Sequence, residues 1–117
     1  MARRSYSPYS GVSVGAAVLT AGGAVFTGTN VENASYSATI CAERAAVAQA
    51  VAAGHREFEA VAVAGSLDTL PPCGICLQVL SELCGPDCAV TYQKGGELVT
   101  ARLRELLPVA FTLDPEP

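Results

Sequence analysis

Charge is scarce in this chain. Asp, Glu, Lys and Arg make up only 15% of its 117 residues, and 7 basic side chains face 11 acidic ones. The net charge is −4 and the Lys and Arg residues form no basic patch to release counterions from a phosphate backbone, which argues against nucleic acid as a partner. An uncharged nucleoside is not excluded. Long apolar runs are also missing: no stretch approaches the roughly 20 residues that cross a bilayer, and no membrane partner is expected. Met1-Ala2-Arg3-Arg4 imitates the basic start of a secretory leader, but polar Ser5-Tyr6-Ser7-Pro8-Tyr9-Ser10 stands where its apolar core would have to be. Repeats and linkers are absent, leaving a single domain over residues 1–117 that is long enough to bury a core. Five cysteines are an odd number for a disulfide framework. Together these features read as a cytoplasmic chain.

What the chain has in excess is apolar surface. Half its residues are hydrophobic, high for a domain with so little charge, so subunits are expected to cover one another. The central stretch is Thr39-Ile40-Cys41-Ala42-Glu43-Arg44. It opens a run, Ala45 to Ala53, in which Gln49 is the only strongly polar side chain. A helix apolar on all sides belongs inside a protein. Its first turn nevertheless carries a thiol, a carboxyl and a guanidinium, which are costly to bury unless paired or metal-bound. A helix N-terminus also stabilises a thiolate. A buried metal site at the start of this helix reconciles these facts. The remaining ligands are found in Pro72-Cys73-Gly74-Ile75-Cys76, a second helix start with the thiol spacing common in zinc sites. Cys41, Cys73 and Cys76 together leave one tetrahedral position open, the mark of a catalytic rather than a structural zinc.

The pattern predicts strands over 12–20 and 25–30 joined by a Gly22-Gly23 turn, and a helix over 39–53 ended by Gly54. A third strand covers 58–65, a second helix 73–84 stops at Gly85-Pro86, and strands cover 88–92 and 98–102. One helical turn precedes Pro108, and Pro115-Glu116-Pro117 reads as a frayed tail. The order gives an α/β domain, a mixed five-stranded sheet flanked by helices in three α/β/α layers.

Three segments carry a resemblance to a known family: Asn30-Val31-Glu32-Asn33-Ala34-Ser35-Tyr36, Cys41-Ala42-Glu43-Arg44, and Pro72-Cys73-Gly74-Ile75-Cys76-Leu77-Gln78-Val79-Leu80. The chain resembles cytidine deaminases of the small homotetrameric type, and Tyr9-Ser10, Val14-Gly15-Ala16-Ala17 and Glu105-Leu106-Leu107-Pro108 extend the likeness to nearly its whole length. Cys-Ala-Glu with Pro-Cys-x-x-Cys is the three-cysteine variant of the zinc deaminase signature. The resemblance implies one Zn2+ per chain that acidifies water, attack at C4 of the cytosine of a cytidine or 2′-deoxycytidine, and loss of ammonia. It makes Glu43 the group that carries protons to ring N3 and to the leaving amine. Arg44 would damp the excess negative charge of three thiolates. Asn30 and Glu32 would hold the ribose hydroxyls and the Ala42 N–H would meet the base. Phe111 would reach a neighbouring subunit's pocket, giving a homotetramer with shared active sites.

Taken singly, these residues have plainer readings. Cys73 and Cys76 alone would suit a redox dithiol, Glu32 a solvated loop charge, Arg44 an ion pair with Glu43 or Glu82, and Phe111 core or interface filler. Cys84 and Cys88 read as ordinary small buried residues. Alternatives for the whole chain are a deaminase of another modified cytosine nucleoside or small aminated heterocycle, and a catalytically weak zinc-binding assembly module. The chain departs from the family at three places. Five residues precede Tyr6, too few for the usual first helix, so either the chain is truncated or an oligomer covers that sheet surface. Val12 stands where a phenylalanine usually lines the base pocket, and Leu77 where an arginine usually follows the second cysteine of the pair.

Overall fold

A computed structural model describes residues 1–113; the tail expected at Pro115-Glu116-Pro117 lies outside them. β1 (Val14–Thr20) and β2 (Val25–Thr29) pair as an antiparallel hairpin. They are followed by α1 (Ala42–Ala52), β3 (Phe58–Gly65), α2 (Gly74–Leu83), β4 (Ala89–Lys94), β5 (Glu97–Arg102) and the single turn α3 (Leu103–Leu106). The five strands form one mixed sheet in the order β2-β1-β3-β4-β5. β3 and β4 are parallel, as a strand–helix–strand crossover requires, and the other neighbouring pairs are antiparallel.

This register decides where a site can form. Gly15 of β1 pairs with Thr29 at the end of β2, and Val14 pairs with Gly65 at the end of β3. The segment entering β1, the loop leaving β2 and the loop leaving β3 therefore meet on one rim of the sheet. Both cysteine motifs follow these loops.

Side chains alternate along the strands. Ala16, Val18, Val61, Val63 and Val90 are buried on one face. Val18, Val61 and Val90 pack there with Ala46, Val47 and Ala50 of α1 and Leu77 and Leu80 of α2. The nearly uniform Ala and Val composition of α1 lets its backbone lie very close to the sheet. At Gly28 of β2 a Cβ would collide with the main chain of α1 at Ala42 and Ala46, so glycine there is what lets the helix settle. The opposite face carries small residues such as Gly15, Ala17, Ala62 and Ala64. Of the helical layers expected on the two faces, α1 and α2 form one. The second is reduced, among the described residues, to the 3-10 turn Ala2–Arg4 beside Gly15.

Element boundaries differ from the expectation at the helix starts. The first helix begins at Ala42 rather than Thr39 because Ile40 and Val31 exchange two main-chain hydrogen bonds of 2.9 Å, which holds the chain extended up to Cys41. Cys41 and Cys73 consequently occupy the same kind of position, the extended N-cap residue of a helix. At the other end α1 stops as expected: Gly54 has φ 97°, and the His55 N–H returns to the Ala50 carbonyl at 3.0 Å in a Schellman closure.

Cys84 and Cys88 are not the independent buried residues expected from the sequence. They form a disulfide between the end of α2 and the start of β4. Gly85, with φ 81°, turns the chain between them, so their Cα atoms lie 5.4 Å apart, within the span that a disulfide bridges.

Candidate metal centre and active site

The three remaining thiols converge. Cys41 caps α1, Cys73 caps α2, and Cys76 lies one turn further along α2, where a three-residue spacing returns to the same side of the helix. The sulfurs of Cys41 and Cys73 are 3.8 Å apart and those of Cys73 and Cys76 are 3.4 Å apart. All three lie within 4.8 Å of one another. Zinc–sulfur bonds of about 2.3 Å at a tetrahedral centre place ligand sulfurs about 3.8 Å apart, so the cluster fits zinc. Burial grades across it, with Cys76 buried, Cys41 half-buried and Cys73 exposed. The expected burial therefore holds at Cys76 and not at Cys73, and the cluster is open on one side.

The electrostatics favour a thiolate at Cys41. Its pKa is drawn down to about 5, first by the hydrogen bond with Cys76 and then by the Arg44 guanidinium and Cys73, against the opposing effect of burial. Cys76 is pushed the other way by the same hydrogen bond and by burial. Arg44 makes neither of the ion pairs considered for it. Its Nη2 donates to Cys41 Sγ at 3.5 Å and to the Thr39 carbonyl at 3.3 Å. The guanidinium therefore faces the Cys41 sulfur, where it can offset negative charge.

Glu43 is 4% exposed, and its pKa is raised chiefly by burial. It lines a cavity of about 260 Å3 together with Cys41, Cys73 and Ala42. That volume lies just below the roughly 300 Å3 at which small-molecule pockets begin, so the cavity suits one small ligand. Val12, Val14, Val63, Leu70 and Pro71 give it apolar walls, and Asn30 and Glu32 stand at its polar side. A second hollow of about 330 Å3 adjoins it across Ser10, Glu32 and Thr39, walled by Tyr9 and Tyr36, whose rings meet edge to face at 6.2 Å. Ala42 is the first residue of α1, so its N–H has no acceptor within the helix.

This combination of a three-thiol centre, a buried carboxyl two residues past the first thiol and a small, largely apolar cavity agrees with comparison against known proteins. The family model of the cytidine and deoxycytidylate deaminase zinc-binding region matches residues 1–92. The chain belongs to the cytidine and deoxycytidylate deaminase family. A cytidine deaminase from Halalkalibacterium halodurans is 46% identical over 112 residues, covering 94% of this chain and 85% of that protein. The crystal structure of cytidine deaminase from Burkholderia pseudomallei superposes with a TM-score of 0.87 at 45% identity, covering 94% of this chain and 90% of that one. A blasticidin-S deaminase from Bacillus cereus is 32% identical over 108 residues, covering 85% of this chain and 76% of that protein.

Within this deaminase fold Asn30 and Glu32 differ in how much bonding capacity remains. Asn30 is 8% exposed. Its Oδ1 accepts from Val14 N at 2.9 Å and from Ser5 Oγ, and its Nδ2 donates to the Val12 carbonyl at 2.8 Å. An amide nitrogen has two donors, so one N–H remains for a ligand. Glu32 is held by Tyr9 and Ser10. Phe111 lines no part of this chain's own cavity. It is 66% exposed, and its main chain is bound at both N–H and carbonyl by the Gln78 side chain, at 3.2 and 2.7 Å. Leu77, which replaces the family's usual arginine, is buried in the core. Sequence reasoning did not single out Ser10, Thr39, Val14, Val63, Leu70 or Pro71 as cavity residues. The polar turn before β1 and the Pro pair before Cys73 were the available signals.

Proposed function

We propose that this chain hydrolyses the exocyclic amine of cytidine and 2′-deoxycytidine, giving the uridine nucleoside and ammonia. The observation that carries this reading is Glu43 buried in the same small cavity as Cys41 and Cys73. One zinc ion per chain would be held by Cys41, Cys73 and Cys76, and when bound it supplies Lewis acidity that activates water near neutral pH. The apolar walls at Val12, Val63 and Leu70 exclude bulk water from the base. The Ala42 N–H is placed to fix the base edge, and the free N–H of Asn30 and the carboxylate of Glu32 to take sugar hydroxyls. Glu43 takes one proton from the attacking water and passes it to ring N3, then takes the second from the hydroxyl formed on C4 and delivers it to the amine as the carbon–nitrogen bond breaks and C4 becomes a carbonyl. Its raised pKa suits a group that must both accept and donate. Arg44 limits the negative charge that three thiolates place on the centre.

The active unit is a homotetramer in which Phe111 of one copy completes a neighbour's cavity. A single domain working in the cytoplasm accords with three reduced thiols free to bind metal; the Cys84–Cys88 disulfide points the other way, and cell fractionation decides. The hollow beyond Glu32 favours a second reading, in which cytosine nucleosides with larger groups on the sugar, blasticidin S included, are also substrates.

The test is Glu43→Gln in zinc-loaded protein assayed on cytidine, 2′-deoxycytidine and blasticidin S. The amide cannot carry protons, so turnover should fall by about 10²–10⁴-fold or more, with zinc content and fold unchanged. Activity within a few-fold of wild type, or loss of zinc, would overturn the role given to Glu43.

A further inference from the structure

We infer that Ser10 is a positioning residue for sugar recognition, its hydroxyl aiming the Glu32 carboxylate and tying it to the Val12 wall of the cavity. The inference rests on the reading that Glu32 meets the sugar of a nucleoside. An exposed loop carboxylate is ordinarily free to turn in solvent, but Glu32 is not. Its Oε1 accepts from the main-chain N–H of Tyr9 at 2.9 Å and of Ser10 at 3.1 Å. Its Oε2 accepts from Ser10 Oγ.

The direction of that last bond is fixed by a fourth contact. Ser10 Oγ also lies 3.0 Å from the N–H of Val12, which can only donate. A hydroxyl has one proton to give, and with Val12 occupying a lone pair, that proton goes to Glu32. A carboxylate offers about four acceptor sites. Three are filled from the Tyr9-Ser10 turn, leaving one for a ligand hydroxyl. Glu32 and Ser10 both line the catalytic cavity.

The same hydroxyl links the two halves of ligand recognition. Val12 N–H is bound to Ser10, and the Val12 carbonyl is bound to Asn30 Nδ2 at 2.8 Å. The main chain of Val12 is therefore clamped between Asn30 and the serine that holds Glu32. The hydrogen bonds from Ser10 also hold the Glu32 carboxyl below the usual carboxylate range, which keeps it an acceptor.

The experiment uses zinc-loaded enzyme and compares cytidine with 2′,3′-dideoxycytidine, which has no sugar hydroxyl on the ring for Glu32 to receive. Ser10→Ala should raise KM for cytidine about tenfold, the scale of losing one hydrogen bond to a charged group, with kcat nearly unchanged. Ser10→Thr should restore the wild-type KM. On the dideoxy substrate, and in a Glu32→Gln background, Ser10→Ala should change KM far less than it does on cytidine, leaving only the share that passes through Val12. Equal losses on both substrates, or a full additional loss in the Glu32→Gln background, would overturn the positioning role and leave the deaminase reading intact. A zinc-loaded wild type that deaminates neither nucleoside would overturn both.

Discussion

Val12 contributes one apolar side chain to the cavity wall, and its main chain is fixed by Ser10 and Asn30. A phenylalanine there would extend into the cavity, where the proposed substrate would place its base. Full burial of such a side chain is worth about 1.5–3 kcal/mol, so Val12→Phe should lower KM for cytidine. It should also exclude bulk on the ring: the ratio of kcat/KM for cytidine to that for a cytidine with a large base substituent should rise about tenfold. An unchanged ratio in steady-state kinetics means that another side chain already closes the space. At this scale the sequence was readable where chemistry is rare. A thiol, a carboxyl and a guanidinium in the first turn of an apolar helix demand a purpose; Cys41 and Glu43 line the cavity, and Arg44 lies against the Cys41 sulfur. Ser10 was not readable in that way, because serine before a glycine turn is common and its partner Glu32 lies 22 residues away.

The three-thiol cluster is assembled from the starts of α1 and α2. A metal bound by Cys41, Cys73 and Cys76 would tie these helix ends together, and a ligand that binds only the folded state stabilises it by mass action. Stripping zinc with a chelator should therefore lower Tm by about 10 °C or more, taking a few kcal/mol of linkage at several degrees each. It should also speed amide exchange selectively over residues 42–46 and 74–78, leaving β1 and β3 protected. Replacing both Cys84 and Cys88 by Ala should leave one zinc per chain, because their disulfide lies at the far end of α2; loss of zinc in that double variant would mean the ligand set is wrong. The elements themselves were legible from alternating strands, paired glycines and the apolar helix. Their starts were not, since the Val31–Ile40 bridge that delays α1 joins residues whose pairing no local pattern announces. The disulfide was hidden for a related reason: it depends on a left-handed glycine between two cysteines that sequence alone presents as spare.

At the scale of the whole molecule, the shortage of charge reappears as apolar surface. Val109, Phe111 and Leu113 are 88%, 66% and 77% exposed, and Ile75 at the start of α2 is 62% exposed. Gln78 of α2 pins the main chain of Phe111 from both sides. An exposed aromatic on a backbone held this firmly is arranged to meet another surface. If that surface is the cavity of a second copy, each active site is built from two chains, and two different defects can compensate. Phe111→Ala should keep its zinc and fold but lose most turnover. Co-expressed with the Glu43→Gln chain, it should regain activity, because a protomer carrying Glu43→Gln still lends its Phe111 to a cavity that retains Glu43. Random mixing in a symmetric homo-oligomer makes half the cavities carry Glu43 and completes half of those, so about a quarter of wild-type activity should return. Sedimentation at assay concentration should show a tetramer for wild type and for the mixture. An active wild-type monomer, or a mixture no more active than its separate parts, would place Phe111 outside the active site and return the exposed apolar residues to the role of plain subunit contact.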